Sequence, residues 1–240
     1  MKLVIPKQHG AWGMLLIPFL LSILLGNPTI YHIPLFLAWL FIYLATYPFL
    51  MYMKQRRKKE FLYAALLYFM IAGIFGIISL LYEWKIVMFI GILIPLFIVN
   101  IYFAHQKKER ALTNDICAII IFCIGSLIGY YFSMKTVDTV ALWIAAVSFL
   151  YFLGSTFYVK TMIREKHNLL YRNLSWGYHI MLPILLCIWS PLFSLLFLPS
   201  LIRAILLYGK KISILKVGIL EIFNSVYFFI VALLVLPYTM

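Results

Sequence analysis

The sequence predicts an all-α protein: a polytopic membrane helix bundle of nine transmembrane helices, forming a single domain over residues 1–240. Hydrophobic residues make up 65% of the chain and charged residues only 11%, against about 25% charged in a soluble domain. Too few polar side chains are present to clothe a water-facing surface. The apolar residues come in long runs, and Lys and Arg fall in short blocks between them. The alternation of those blocks sets the orientation, with the amino terminus in the cytoplasm and the carboxyl terminus outside.

A span needs about 20 mostly apolar residues, because the hydrocarbon core is about 30 Å thick and each helical residue rises about 1.5 Å. Segments 11–26, 30–53, 61–82, 86–104, 115–133, 138–158 and 217–238 are read as spans. The first begins behind only two Lys and contains no A-x-A site, so no cleavable signal peptide is expected. Between the sixth and the last lies a stretch from Asn173 to Tyr208, too long for one ordinary span, that carries Pro183, Pro191 and Pro199. It divides most naturally at Ser190-Pro191, since proline lacks a donor N–H and biases the preceding residue away from helix.

Charge separates one helix from two in that stretch. Two helices put 18 of the 20 Lys and Arg residues on the cytoplasmic side and leave Lys85 and Lys135 outside. A single tilted helix, the competing reading, makes the division 14 against 6. The positive-inside rule therefore selects nine spans, and with them a multi-pass membrane protein. The outer loops are short, so no extracellular domain is expected. The longest connection, residues 159–172, is cytoplasmic and is expected to continue the sixth span as helix.

The net charge of +13 does not indicate nucleic acid, because the cations lie where membrane lipid head groups would meet them. Cys117, Cys123 and Cys187 sit inside apolar runs without the spacing to His that a metal site needs, and read as small core residues. The seven acidic residues show no local pairing suited to Mg²⁺. No phosphate loop, nucleophile elbow or HExxH is present, so no metal or cofactor is called and enzymatic activity is left open.

Polar residues inside a bilayer cost free energy, which makes their depth informative. The strong ones favour the cytoplasmic half. Lys7 and His9 open the first span, Tyr43, Thr46 and Tyr47 lie low in the second, and Asn100 lies one turn before the end of the fourth. Ser155 and Thr156 close the sixth, followed by Lys160, Arg164 and His167 at i, i+4 and i+7, one face of a continuing helix. Lys7, His9, Asn100, Lys160, Arg164 and His167 are thus the candidate ligand-binding residues, with cations suited to phosphate or carboxylate. The alternative is that each helix end simply turns polar at its interface. His32 is read as interfacial, and His105 and His179 as structural residues near the cytoplasmic face. Arg203 and Glu221 lie at similar depth in the eighth and ninth spans and form a candidate structural ion pair. A weak repeat, Tyr102 with Lys108-Glu109-Arg110 and Tyr158 with Arg164-Glu165-Lys166, recurs after 56 residues.

The segment Pro6-Lys7-Gln8-His9-Gly10-Ala11-Trp12, followed by an apolar helix containing Pro18, resembles the YwiC-like family of bacterial integral membrane proteins. Length and the run of apolar segments agree over essentially the whole chain; the resemblance implies a membrane bundle and no particular activity. A weaker, architectural resemblance is to the UbiA-type prenyltransferases, whose Asp-rich loops after the second and sixth helices hold Mg²⁺ and a prenyl diphosphate. The corresponding loops here begin at Tyr52 and Tyr158 and contain no Asp, so nothing recruits the metal that would neutralise a leaving diphosphate.

Three function classes follow. The first is a membrane protein binding a small molecule or lipid in a cytoplasm-facing cavity, with an anionic lipid or prenyl diphosphate as the candidate partner. The second is a divergent UbiA-like transferase, and the third a structural or assembly partner of another membrane complex.

Overall fold

A computed structural model describes residues 4–6, 9–54 and 58–239. Its helices run α1 (His9–Leu25), α2 (His32–Lys54), α3 (Lys59–Tyr82), α4 (Ile90–His105), α5 (Leu112–Met134), α6 (Thr139–Ile163), α7 (Leu169–Trp189), α8 (Pro191–Leu195), α9 (Leu198–Leu206) and α10 (Ile214–Thr239). A 3-10 segment, Trp84–Phe89, leads into α4. Six helical segments are long and apolar enough to cross a membrane: α2, α3, Trp84–His105, α5, α6 and α10. No strand occurs among the described residues.

Local chemistry sets the boundaries. Asp138 starts α6 by accepting from the Ala141 N–H, and Asn168 starts α7 by accepting from Leu170. Such caps satisfy donors that the first helical turn leaves free. The chain breaks at Ser190, extended at φ −156° and ψ 129°, with Pro191 opening α8. Residues 191–206 then form two short helices rather than one. Gly209, at φ 77°, makes the turn toward α10 in a conformation that L side chains rarely adopt.

The connection after α6 corrects an expectation. Helix was expected through residues 159–172, but α6 ends at Ile163 and α7 begins at Leu169. The Lys160 carbonyl accepts from both Arg164 and Glu165, which closes the last turn, and Asn168 supplies a fresh cap. Cys187 also departs from the core role expected of it and is exposed on α7.

Helices α1, α5, α6 and α10 form the middle of the bundle, with the α2–α3 hairpin and α4 on the α5 side and α7, α8 and α9 against α6 and α10. One apolar core joins Leu15, Phe19, Leu35, Trp39, Phe122 and Phe132. Another joins Ile17, Leu21, Ile144, Tyr151, Phe193 and Phe228. Gly129 lets α5 approach α1, because a Cβ there would collide with the Ser22 hydroxyl. The outer surface is the reverse of a soluble protein's: Leu81 is 84% exposed and Ile188 80%. Lipid, not water, is the solvent that such a surface fits.

Candidate functional site

Helical spacing assembles a polar cluster in the carboxyl-terminal half. On α6, Tyr151, Ser155 and Tyr158 stand at i, i+4 and i+7 and are all buried. Ser200 and Arg203, one turn apart on α9, are buried too, as are Glu221 and Asn224 on α10 and Ser175 and His179 on α7. Four helices therefore direct polar side chains inward at one level.

Arg203 is 7% exposed and Glu221 8%, and the two form an ion pair through Nη1 and Oε1. The second carboxylate oxygen of Glu221 accepts from the Ser155 hydroxyl. The guanidinium lies 4.5 Å from the centre of the Tyr158 ring, which adds a cation–π contact. Beside the pair, Asn224 Nδ2 donates to the Tyr151 hydroxyl at 2.7 Å and to Ser200 Oγ at 2.9 Å. Tyr151 and Ser225 share a further bond of 3.1 Å.

Several atoms in this cluster have no hydrogen-bond partner among the described residues: Arg203 Nε and Nη2, the Tyr158 hydroxyl and His179 Nε2. His179 Nδ1 sits 2.7 Å from the Ser175 carbonyl, which can only accept, so Nδ1 carries the proton. Burial at 3% exposure disfavours a second proton on the ring, and the neutral form with its proton on Nδ1 leaves Nε2 as an acceptor. Gly154 makes room for it; a Cβ there would lie 3.2 Å from His179 Nε2 and 3.0 Å from Tyr178 Cε1. Unsatisfied buried groups cost about 1–3 kcal/mol each, so several in one place set this cluster apart from ordinary packing.

The cluster belongs to one end of the bundle. Arg203 lies in the last turn of α9, Glu221 lies two turns into α10, and Ser155 and Tyr158 lie in the final turns of α6. Those are the ends joined to Lys160, Lys210, Lys211 and Lys216.

The sequence-derived candidates scatter by comparison. Lys7 falls outside the described residues; His9 is the first residue of α1, and its side chain is not described. Asn100 is on α4, with its Nδ2 buried and unbonded, away from the cluster. Lys160 is already engaged, paired with Asp115 at 2.8 Å and donating to the Arg110 carbonyl at 2.6 Å. Arg164 caps α6 and His167 lies in the following turn, so the expected face of Lys160, Arg164 and His167 does not exist. The reason is the early end of α6. Partial burial and the nearby Arg110 charge pull the Arg164 guanidinium below its usual range, with Asp115 opposing them.

Two further charged pairs lie elsewhere. Lys54 pairs with Glu109 at 2.6 Å, and Lys135 with Glu83 at 2.7 Å. His32, the first residue of α2, is buried against protein: its Nδ1 meets Thr29 and its Nε2 lies 3.1 Å from the Gly129 carbonyl. Tyr102 is 60% exposed whereas Tyr158 is fully buried, so the two halves of the weak repeat play different parts. No three His, Cys, Asp or Glu side chains come together as a metal-ligand set among the described residues.

Sequence reasoning missed His179 and Ser200 as members of the site. The spacing of Tyr151, Ser155 and Tyr158 was available as a signal; the short helix that brings in Ser200 was not.

Residues 5–130 match the family described as YwiC-like protein. Over 230 residues the chain is 43% identical to "Uncharacterized protein YwiC" of Bacillus subtilis, covering 95% of this chain and 96% of that one. A protein of Haemophilus influenzae is 40% identical over 234 residues, covering 97% and 98%. No solved structure matches.

Proposed function

The chain belongs to the YwiC-like family, and from that premise we propose that it is a multi-pass protein of the bacterial cytoplasmic membrane that binds a small molecule or lipid at the Arg203 cluster, reached from the cytoplasm. One observation carries this reading: a buried guanidinium, held by Glu221 on one side and lying over the Tyr158 ring, keeps Nε and Nη2 without partners among the described residues, as do the Tyr158 hydroxyl and His179 Nε2, which lies against Gly154, one turn before Tyr158 on α6. An ionisable group buried inside a membrane bundle is costly unless it serves a site or a partner. A purely structural ion pair would be better served by bonding every polar atom around it.

The nine-span topology belongs to the same proposal. It counts α1, α2, α3, Trp84–His105, α5, α6, α7, the α8–α9 stretch and α10 as crossings, and is supported by the distribution of Lys and Arg. Alkaline phosphatase fused after the last residue is expected to be active, and a fluorescent protein fused there to stay dark. The reverse pattern rejects nine crossings.

Binding is tested by mass spectrometry of the purified protein without added ligand. A lipid or small molecule is expected to accompany the wild type and to be lost from the Arg203→Met, Glu221→Leu double variant. An empty wild type, or a species retained equally by both, rejects the cluster as the site.

A further inference from the structure

We propose that the Arg203 cluster takes an uncharged ligand presenting a carbonyl oxygen beside a hydroxyl group, the chemistry of a diacylglycerol head or a glycerol ester. This rests on the cluster being a binding site and names what it binds.

Charge balance selects the class. Arg203 and Glu221 cancel, and His179, 3% exposed and donating from Nδ1–H to the Ser175 carbonyl, is neutral because a buried imidazolium without a counter-charge would be heavily penalised. A bound anion would leave the cluster with a net negative charge in a low-dielectric interior, where unpaired charge is heavily penalised. An uncharged ligand leaves the balance intact.

The free atoms select the functional groups. Arg203 Nε and Nη2 can only donate, so they call for an acceptor oxygen. His179 Nε2 in this tautomer can only accept, so it calls for an O–H or N–H. The Tyr158 hydroxyl serves either need. A carbonyl next to a hydroxyl meets both requirements within one small head group.

The surroundings supply an approach. A shallow cleft of about 820 Å³ runs along α7, lined by Leu170, Asn173, Leu174, Gly177, Tyr178 and Met181. Tyr178 forms part of its wall and also faces Gly154, the residue that His179 Nε2 approaches. An acyl chain lying in the cleft would run past Tyr178, which shares with His179 the space beside Gly154, whereas a soluble ester would enter without using the cleft.

Thermal unfolding of the full chain in phosphatidylcholine nanodiscs separates these cases. The probes are dioleoylglycerol, monoacetin dissolved in the buffer, and dioleoylphosphatidic acid, which carries the same chains as the first probe on a charged head. An uncharged probe is expected to raise Tm: dioleoylglycerol if the ligand is lipid-borne, monoacetin if it is soluble. His179→Phe, which keeps a ring and removes the acceptor, should bind that probe about tenfold more weakly, about 1.4 kcal/mol. Tyr158→Phe replaces it if His179→Phe does not fold. A rise with phosphatidic acid alone overturns the uncharged class, as does an absence of response to every probe or an equal response in the folded variant. Those failures are distinct from failure of the site itself, which is read from the species accompanying the untreated wild type.

Discussion

Helices α1 to α5 and helices α6 to α10 solve the problem of polar groups in a bilayer in opposite ways. In the first half, the Ser22, Ser79 and Ser126 hydroxyls return to carbonyls of their own helices, and His32 has partners at both ring nitrogens. Trp39 Nε1, Tyr43 OH, Asn100 Nδ2 and Asn114 Oδ1 lack partners there, but all four belong to uncharged side chains, and the two aromatic ones are packed among rings. The second half buries an Arg, a Glu, an Asn and a His together and leaves several of their atoms unbonded. Folding demands only the first arrangement. The second is the one that needs an explanation beyond packing, and it falls outside the residues matched to the family, 5–130, yet within the range aligned to both relatives.

The largest expected effect tests whether the second half depends on its ion pair. Arg203→Ala and Glu221→Ala each strand a buried charge, which typically costs about 3–5 kcal/mol. Their double variant should lose less than the sum, because neither charge is then left alone. Arg203→Met with Glu221→Leu should approach or exceed wild-type stability, since apolar replacement of a buried pair is often neutral or stabilising, while losing the bound species. Unfolding free energies measured in mixed micelles decide the matter. Strict additivity of the two alanine variants would show that the pair is not coupled and would erase the contrast between the halves.

Much of this architecture was legible in the sequence, because hydropathy and length alone specify where a helix can cross. The break at Ser190-Pro191 was legible for the same kind of local reason, a missing N–H. What local reasoning could not supply were contacts between helices. Lys160 looked available as a ligand because its partner Asp115 belongs to α5, 45 positions earlier in the chain. Periodicity also carried α6 too far, since a cap at Asn168 outweighs a continuing helical pattern. Arg203 and Glu221 were readable as neighbours from depth alone. Their surroundings were not, because Ser200 and His179 enter from segments whose placement depends on the break in the chain.

A middle-sized effect sharpens the comparison from the other side. Gly125 packs against the Trp39 ring, so that an added Cβ would lie 2.8 Å from Trp39 Cε2. Gly125→Ala overpacks this contact and should cost about 1–3 kcal/mol. His32→Ala, which removes the link from α2 to the Gly129 carbonyl, should fall in the same range, about 1–3 kcal/mol. Both variants are expected to lower stability while keeping whatever species accompanies the wild type. Loss of that species on a change in the first half would mean that the two halves are coupled and that the contrast between packing and binding is drawn in the wrong place.

The smallest effect concerns a charge pair that sits at the edge of the bundle rather than inside it. Glu83, between α3 and the 3-10 segment, accepts from the Lys135 ammonium at 2.7 Å and from the Lys85 N–H at 3.1 Å. Lys135 also lies 4.4 Å from the centre of the Tyr82 ring. The Lys135 hydrogen bond holds the Glu83 carboxyl below its usual range; partial burial works against it, and the Lys85 N–H adds to the lowering. A depressed carboxyl pKa stabilises the folded state only where the carboxyl is ionised. The contribution is therefore complete above the unfolded value, about 4.3, and disappears as pH falls through the lower folded value. Lys135 is 44% exposed, so water and salt screen the pair and its contribution should stay under about 1 kcal/mol. Unfolding of wild type and Glu83→Gln should differ by that small amount at pH 7, converge below pH 4, and converge also at pH 7 in about 1 M salt, where the screening length falls to about 3 Å. A difference at pH 7 as large as that of the Arg203 variants would mean that burial is not what separates a strong pair from a weak one in this protein.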